Sequence, residues 1–170
     1  MDIRRSLQQK PIFGVAIAIF LVLMASAILA RQYWPQKKAN LSEAYFTDDD
    51  GNTWFNDSAF LVPPFDHNGR TAVFAEIYTY DNGAKKFCAY EAKYTPKAKK
   101  RLEAALADAQ KNNQPPSTVS LYHDRSFITE GMLVKAPGSS DWVSMADPQA
   151  NSVCSIHSPD GTAVDQCFVY

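Results

Sequence analysis

From Pro11 to Ala30 the chain reads PIFGVAIAIFLVLMASAILA, twenty residues without a charge. At 1.5 Å per residue a helix of that length is about 30 Å long, the thickness of a bilayer's hydrocarbon core. A helix suits lipid because each interior N–H and C=O is paired within the segment. Arg4, Arg5 and Lys10 precede the run, and Arg31, Tyr33, Trp34, Lys37 and Lys38 follow it, a flank suited to a headgroup region. The expectation is a transmembrane signal-anchor over residues 11–31, with 1–10 as a short tail, 32–42 as a stalk and 43–170 as a soluble domain. The lipid bilayer is then the first partner. A cleaved signal peptide is the alternative, since Ala25, Ser26 and Ala27 offer small residues near the end of the run. Three Lys/Arg on each flank leave orientation undecided by charge. A short tail before a long domain places the tail inside and the domain outside the cytoplasm, at a cell or inner membrane and, in a bacterium, periplasmic.

Residues 39–170 carry 11 Lys/Arg against 17 Asp/Glu, a net charge of −6. An acidic domain is a poor partner for nucleic acid, whose phosphates require a basic face. Three cysteines are present, Cys88, Cys154 and Cys167. In an oxidising compartment a Cys154–Cys167 disulfide would close the loop around Ser158-Pro159-Asp160-Gly161 and stabilise by about 3 kcal/mol. Pairing through Cys88 remains the alternative.

The rest of the chain reads as α+β, with antiparallel β-hairpins packed against one main helix. Short β-prone runs at 44–47 and 53–55 flank an Asp/Gly turn. Thr71–Tyr80 and Lys86–Tyr94 flank Asp81-Asn82-Gly83, a strong hairpin signal. In the second run the alternation puts Cys88, Tyr90, Ala92 and Tyr94 on one face and Phe87, Ala89, Glu91 and Lys93 on the other. Thr95-Pro96 opens a helix that runs to about Lys111, with Leu102, Ala105, Leu106 and Ala109 on one face. Its first turns are crowded with Lys97, Lys99, Lys100 and Arg101, a solvated face or a docking site for an acidic partner. Ser117–Tyr122 and Gly131–Lys135 read as strands, Asp147-Pro148 as the start of a helical turn, and the C-terminus as a last hairpin around Pro159-Asp160-Gly161.

The chemistry-bearing residues are few. Asp48, Asp50 and Asn52 fall at the first, third and fifth positions of a calcium loop, but the twelfth is Ala59 and the sixth Thr53, so an EF-hand is excluded. His67, His123 and His157 have no partner at metal-ligand spacing and no Cys-x-x-Cys occurs. No metal and no cofactor is expected. His123-Asp124 could form a catalytic pair, but no G-x-S-x-G elbow accompanies it.

The stretch Thr47-Asp48-Asp49-Asp50-Gly51-Asn52-Thr53-Trp54-Phe55 resembles the Asp-box, Ser/Thr-x-Asp-x-Gly-x-Thr-Trp-Phe. The resemblance implies a structural turn in which Asp49 and Thr47 bond the backbone, Gly51 and Thr53 complete the hairpin and Trp54 packs beneath it. One copy in a short chain implies neither a propeller nor glycosidase activity. Over YFTDDDGNTWF (45–55), VPPFDHNGR (62–70), KKFCAYEAKYTPKAKKRLE (85–103) and, weakly, VKAPGSSDW (134–142) and SPDG (158–161), the chain resembles uncharacterised bacterial proteins with one N-terminal membrane helix. The leading expectation is a non-enzymatic, membrane-anchored, extracytoplasmic domain that binds a protein, as an accessory subunit of a membrane or envelope assembly. Phe65 and His67 of the 62–70 loop are its candidate contacts. The alternatives are an envelope hydrolase using His123 or His67, and a solute or metal sensor.

Overall fold

The computed structural model describes residues 11–32, 40–81, 83–158 and 161–169. The chain divides into two compact units, Met1–Lys38 and Ala39–Tyr170.

In the first unit, helix α1 spans Pro11–Gln32. Its described apolar side chains are exposed, Phe20, Val22 and Leu23 among them. Among the described residues no helix is long and apolar enough to cross a membrane. This corrects the single-pass transmembrane reading of residues 11–31. The cell-membrane and extracytoplasmic placement that rested on it falls with it.

The second unit is α+β, built on an antiparallel sheet of eight strands. They are β1 (Glu43–Thr47), β2 (Phe55–Ser58), β3 (Phe65–His67), β4 (Arg70–Tyr80), β5 (Lys85–Tyr94), β6 (Met132–Lys135), β7 (Val143–Ser144) and β8 (Asp165–Gln166). The order is β2-β1-β4-β5-β6-β7, with β3 and β8 also paired to β4. Helices α2 (Pro96–Lys111), α3 (Arg125–Gly131) and α4 (Ala150–Cys154) complete the unit.

Local chemistry explains the longest elements. The β4–β5 turn closes with Gly83 N–H on the Tyr80 carbonyl at 3.2 Å and Asp81 at φ 54°, a left-handed conformation that Asp tolerates. Helix α2 starts at Pro96, with Thr95 Oγ1 accepting from Ala98 N–H at 3.3 Å, one of the donors a helix start leaves unpaired. Leu102, Ala98 and Ala109 of α2 are buried with Tyr94, Val62, Val119 and Phe127. Ala150 of α4 closes a second cluster with Ala92 and Val134. Gly131 sits where α3 meets α2; a Cβ there would lie 2.8 Å from Ala98 Cβ, so the contact requires glycine.

The structure departs from the expected pattern in two places. Residues 117–122 are not a strand but two 3-10 turns, Pro116–Thr118 and Ser120–His123. Thr118 bonds back to the Pro115 carbonyl through both N–H and Oγ1, a local closure that competes with a ladder. As expected, Asp147-Pro148 opens a helical turn, with Asp147 Oδ1 accepting from Gln149 N–H at 2.8 Å and its carbonyl from Ala150 N–H at 2.9 Å, and α4 follows from Ala150. The C-terminal segment forms no hairpin of its own among the described residues; β8 pairs with β4, Tyr78 opposite Gln166. Residues 159–160 of the expected turn lie outside the described residues.

The β4–β5 ladder contains one irregularity. Its register runs Glu76↔Tyr90 and then Ile77↔Cys88, leaving Ala89 as an extra residue. Such a bulge shifts the alternation by one. Cys88 therefore shares a face with Ile77, Ala75 and Glu91, not with Tyr90, Ala92 and Tyr94 as the sequence alternation predicts.

Candidate functional site: a charged cleft on the face opposite α2 and α4

Tyr90, Ala92 and Tyr94 of β5 face the helices, so Glu91 and Lys93 point to the opposite side of the sheet. That side is roofed by the β1–β2 turn and by residues 136–142.

The turn is tied from within. Thr47 Oγ1 donates to Asp49 Oδ1 (3.0 Å) and accepts from Gly51 N–H (3.0 Å). Asp49 accepts from Thr53 N–H (2.9 Å) and Thr53 Oγ1 (2.7 Å). The Thr53 side chain is the largest cause holding the Asp49 carboxyl below its ordinary range. Gly51 has φ +75°, and a Cβ there would lie 3.1 Å from both Cβ and Sγ of Cys88 and 3.3 Å from Pro137 Cβ. No side chain fits. Trp54 is half-buried and belongs to neither buried cluster. The aromatic that the hairpin buries fully is Phe46.

Asp50, at φ 64°, reaches across to β6. One oxygen meets Lys135 Nζ and the other accepts from Gly138 N–H at 2.8 Å. Lys135 stands directly opposite Glu91 in the β5–β6 register, with Nζ 3.2 Å from Glu91 Oε1. The pair is enclosed: Glu91 is 2% and Lys135 7% exposed. The Lys135 ammonium is the partner of Glu91 Oε1, an oxygen closed off from solvent that has no other donor. Burial is the main cause pushing the Glu91 carboxyl above its usual range, partly offset by Lys135. The bond to Lys135 holds Asp50 below its own. Lys93 Nζ lies 3.9 Å from the centre of the Trp142 ring, a cation–π contact. It makes no ion pair among the described residues. Burial and the nearby Lys135 draw its pKa down. With Thr71 and Val73, these groups line an open cleft of about 260 Å³. A larger cavity of about 610 Å³ beside α2, lined by Phe60, Leu106, Ala107 and Pro116 among others, holds no buried ionisable group and is not the candidate.

The contact residues expected from sequence are engaged internally. Phe65 lies in β3, its ring edge-on to Phe46 at 5.2 Å. His67 stacks on Phe55 at 3.9 Å; its Nδ1 is 2.8 Å from Asp48 Oδ2 and its Nε2 3.2 Å from Asn68 Nδ2. Phe65→Ala is expected to cost about 2–4 kcal/mol of stability from lost packing, read from the urea midpoint. A midpoint unchanged from wild type would free Phe65 for a contact role. Of the basic start of α2, Lys99 donates to the Pro64 carbonyl and pairs with Glu103 at 3.6 Å; Lys97 and Lys100 are exposed.

Cys88, Cys154 and Cys167 are free thiols in this structure, and Cys167 N–H donates to the Ile77 carbonyl at 2.8 Å. Burial, with Glu91 nearby, pushes the Cys88 thiol up to about 12, leaving almost no nucleophilic thiolate at neutral pH. His123 is exposed, with Nε2 3.4 Å from the Ser117 carbonyl. Neither His67 nor His123 lines the cleft. Among the described residues no group of three or more His, Cys, Asp or Glu could hold a metal ion.

On the other side of the sheet, Glu76 accepts from Gln166 Nε2 at 3.1 Å, and burial pushes its carboxyl up. A raised folded pKa contributes stability that is present below the unfolded value and lost as pH rises through the folded one. Glu76→Gln is therefore expected to raise the melting temperature at neutral pH and leave it unchanged near pH 4. An equal effect at both would show that Glu76 does not titrate abnormally.

Sequence reasoning missed Glu91, Lys135, Lys93 and Trp142. The first two meet only through the β5–β6 register, which no local motif encodes. The chain matches no family model, no curated protein and no solved structure.

Proposed function

We propose that the second unit is a non-enzymatic solute-binding domain whose recognition site is the cleft over Glu91. The carrying observation is the open cleft of about 260 Å³ that gathers Asp50, Glu91, Lys93 and Lys135 beside the Trp142 ring, where Lys93 rests on the ring face and makes no ion pair among the described residues. Support for the non-enzymatic reading comes from the state of the candidate nucleophiles and bases. Cys88 is protonated, both nitrogens of His67 are occupied, and His123 faces a backbone carbonyl.

Anything that binds the native state stabilises it, by about 2.7 kcal/mol at a hundredfold excess over Kd. For a chain of this length that is a melting shift of about 5–10 °C. A panel of amino acids, dicarboxylates, sugars and polyamines should contain at least one class that produces it. A flat response to all classes would sink the reading.

A second reading, protein binding, has one observation in its favour, the open groove along α2 lined by Phe60, Leu106 and Pro116. Ala107→Arg would block that groove without touching the cleft.

A further inference from the structure

The charges in the cleft are answered to different degrees. Lys135 is shared by Asp50 and Glu91, and Asp50 also accepts from Gly138 N–H at 2.8 Å. Asp48 has His67 Nδ1 at 2.8 Å and Arg70 at 4.0 Å. Glu91 Oε1 is shut off from solvent and out of a ligand's reach. Lys93 differs from all of them. It is only part-buried and lines the cleft, and no carboxylate stands within ion-pair distance of it among the described residues. Its Nζ rests 3.9 Å from the centre of the Trp142 ring, which holds the charge in place but, being neutral, does not cancel it. Burial, then the charge on Lys135, draw its pKa down, as befits an ammonium short of a counter-ion. The β4–β5 register pairs Phe74 with Ala92, so the next residues, Val73 and Lys93, are neighbours across the ladder. Thr71 lies two residues beyond Val73 on the same side. It is exposed and lines the cleft, and its hydroxyl makes no hydrogen bond among the described residues.

From this we infer that the ligand is a small monocarboxylate with an apolar body. The inference rests on the solute-binding reading of the same cleft. The ligand carboxylate accepts from Lys93 Nζ and from the Thr71 hydroxyl, and a bond between two charged groups is stronger than a neutral one. One positive charge is unanswered, so one negative charge matches it. A dianion would bring its second charge toward Asp48 and Asp50, which line the same cleft, and a cation would meet Lys93 directly. At the low effective dielectric of such a site neither repulsion is negligible. Val73 and Trp142 provide apolar wall for the rest of the molecule. The volume of about 260 Å³ corresponds to the space of about nine liquid waters, room for a branched short-chain acid or a benzoate.

The test is calorimetric titration and thermal melting of the full-length chain with 3-methylbutanoate and benzoate, each against its neutral amide, and with succinate, at about pH 7 so that the acids are ionised. At least one of the two monocarboxylates is expected to bind and to raise the melting temperature. Its amide, which keeps the shape and lacks the charge, and succinate, which adds a second charge, should each bind at least about tenfold more weakly, a difference of about 1.4 kcal/mol. Lys93→Gln should weaken binding of the acid to a similar degree, Thr71→Val by a smaller factor, and the exposed Lys97→Gln on α2 should leave it unchanged. Because Lys93 holds no ion pair among the described residues, its variant should fold as the wild type does, which its own melt checks; the comparison of acid with amide needs no variant. Acetyl-alanyl-leucine, which presents the carboxylate of a peptide end, should bind no better than the free acids, and tighter binding would overturn the small solute in favour of a chain terminus. Equal binding of the amide or of succinate would overturn the monocarboxylate and leave solute binding standing. No binding of either acid would overturn the monocarboxylate as well, while the wider panel alone decides whether the cleft binds solutes at all.

Discussion

Lys135→Ala is expected to be among the most damaging single substitutions in the second unit, at about 3–5 kcal/mol. The cost comes less from the attraction lost than from what is left behind. Glu91 is 2% exposed and would keep a buried charge without its cross-strand cation. Asp50 would lose the group that fastens the β1–β2 turn to β6. The loss should shrink in acid. Glu91 is already pushed above the ordinary carboxylate range, so its protonated form carries stability that is present below about pH 4.5 and is lost as pH rises through the raised value. Asp50 acts in the opposite sense: its lowered pKa contributes stability above the unfolded value that is lost as pH falls. Urea denaturation of Lys135→Ala at pH 8 and pH 4.5 should therefore give the larger deficit at pH 8. The double variant Glu91→Leu/Lys135→Met should recover most of it, since an apolar pair of similar volume often replaces a buried ion pair without loss. A Lys135→Ala midpoint close to wild type would mean that the pair is not buried in solution.

Phe46→Ala should cost about as much, about 3–5 kcal/mol, for a different reason. Phe46 is fully buried, with ring centres of Phe74 at 5.1 Å, Phe65 at 5.2 Å and Phe55 at 5.9 Å. These rings come from β4, β3 and β2, so one side chain joins three strands to β1. Truncation leaves a cavity that three stiff rings cannot fill by relaxing. Phe46→Leu keeps much of the volume and should cost about 1–2 kcal/mol. Thermal melts of the two variants distinguish cavity formation from loss of aromatic contact. If leucine proved as harmful as alanine, ring geometry rather than volume would hold the cluster together.

Local signals in the sequence were readable where the deciding interaction spans a few residues. Thr95-Pro96 marks the start of α2 because the cap and the fixed proline φ act within one turn. The β4–β5 hairpin is legible from its turn for the same reason. The bulge at Ala89 was not, because a run of β-prone residues looks the same with or without a one-residue slip. That slip moved Cys88 to the other face. The cleft was even less accessible to sequence. Glu91 and Lys93 read only as part of one face of an alternating strand, and nothing local to them shows the β6 pairing that sets Lys135 beside Glu91. The apolar run at 11–30 was the strongest signal of all, and it did become a helix, but it says nothing of the cleft or of its ligand.

Cys88 lies directly under Gly51, and burial holds its thiol up to about 12. That arrangement makes the residue a native clock for the turn above it. The residue is half-buried, so an alkylating reagent should react slowly while the 47–53 turn is closed and faster when it lifts away. The change in labelling rate then reports a change in the free energy of that opening. Counted peptide by peptide against Cys154 and Cys167, it would follow how firmly the cleft's roof is shut as a ligand is added, without a probe having to be introduced.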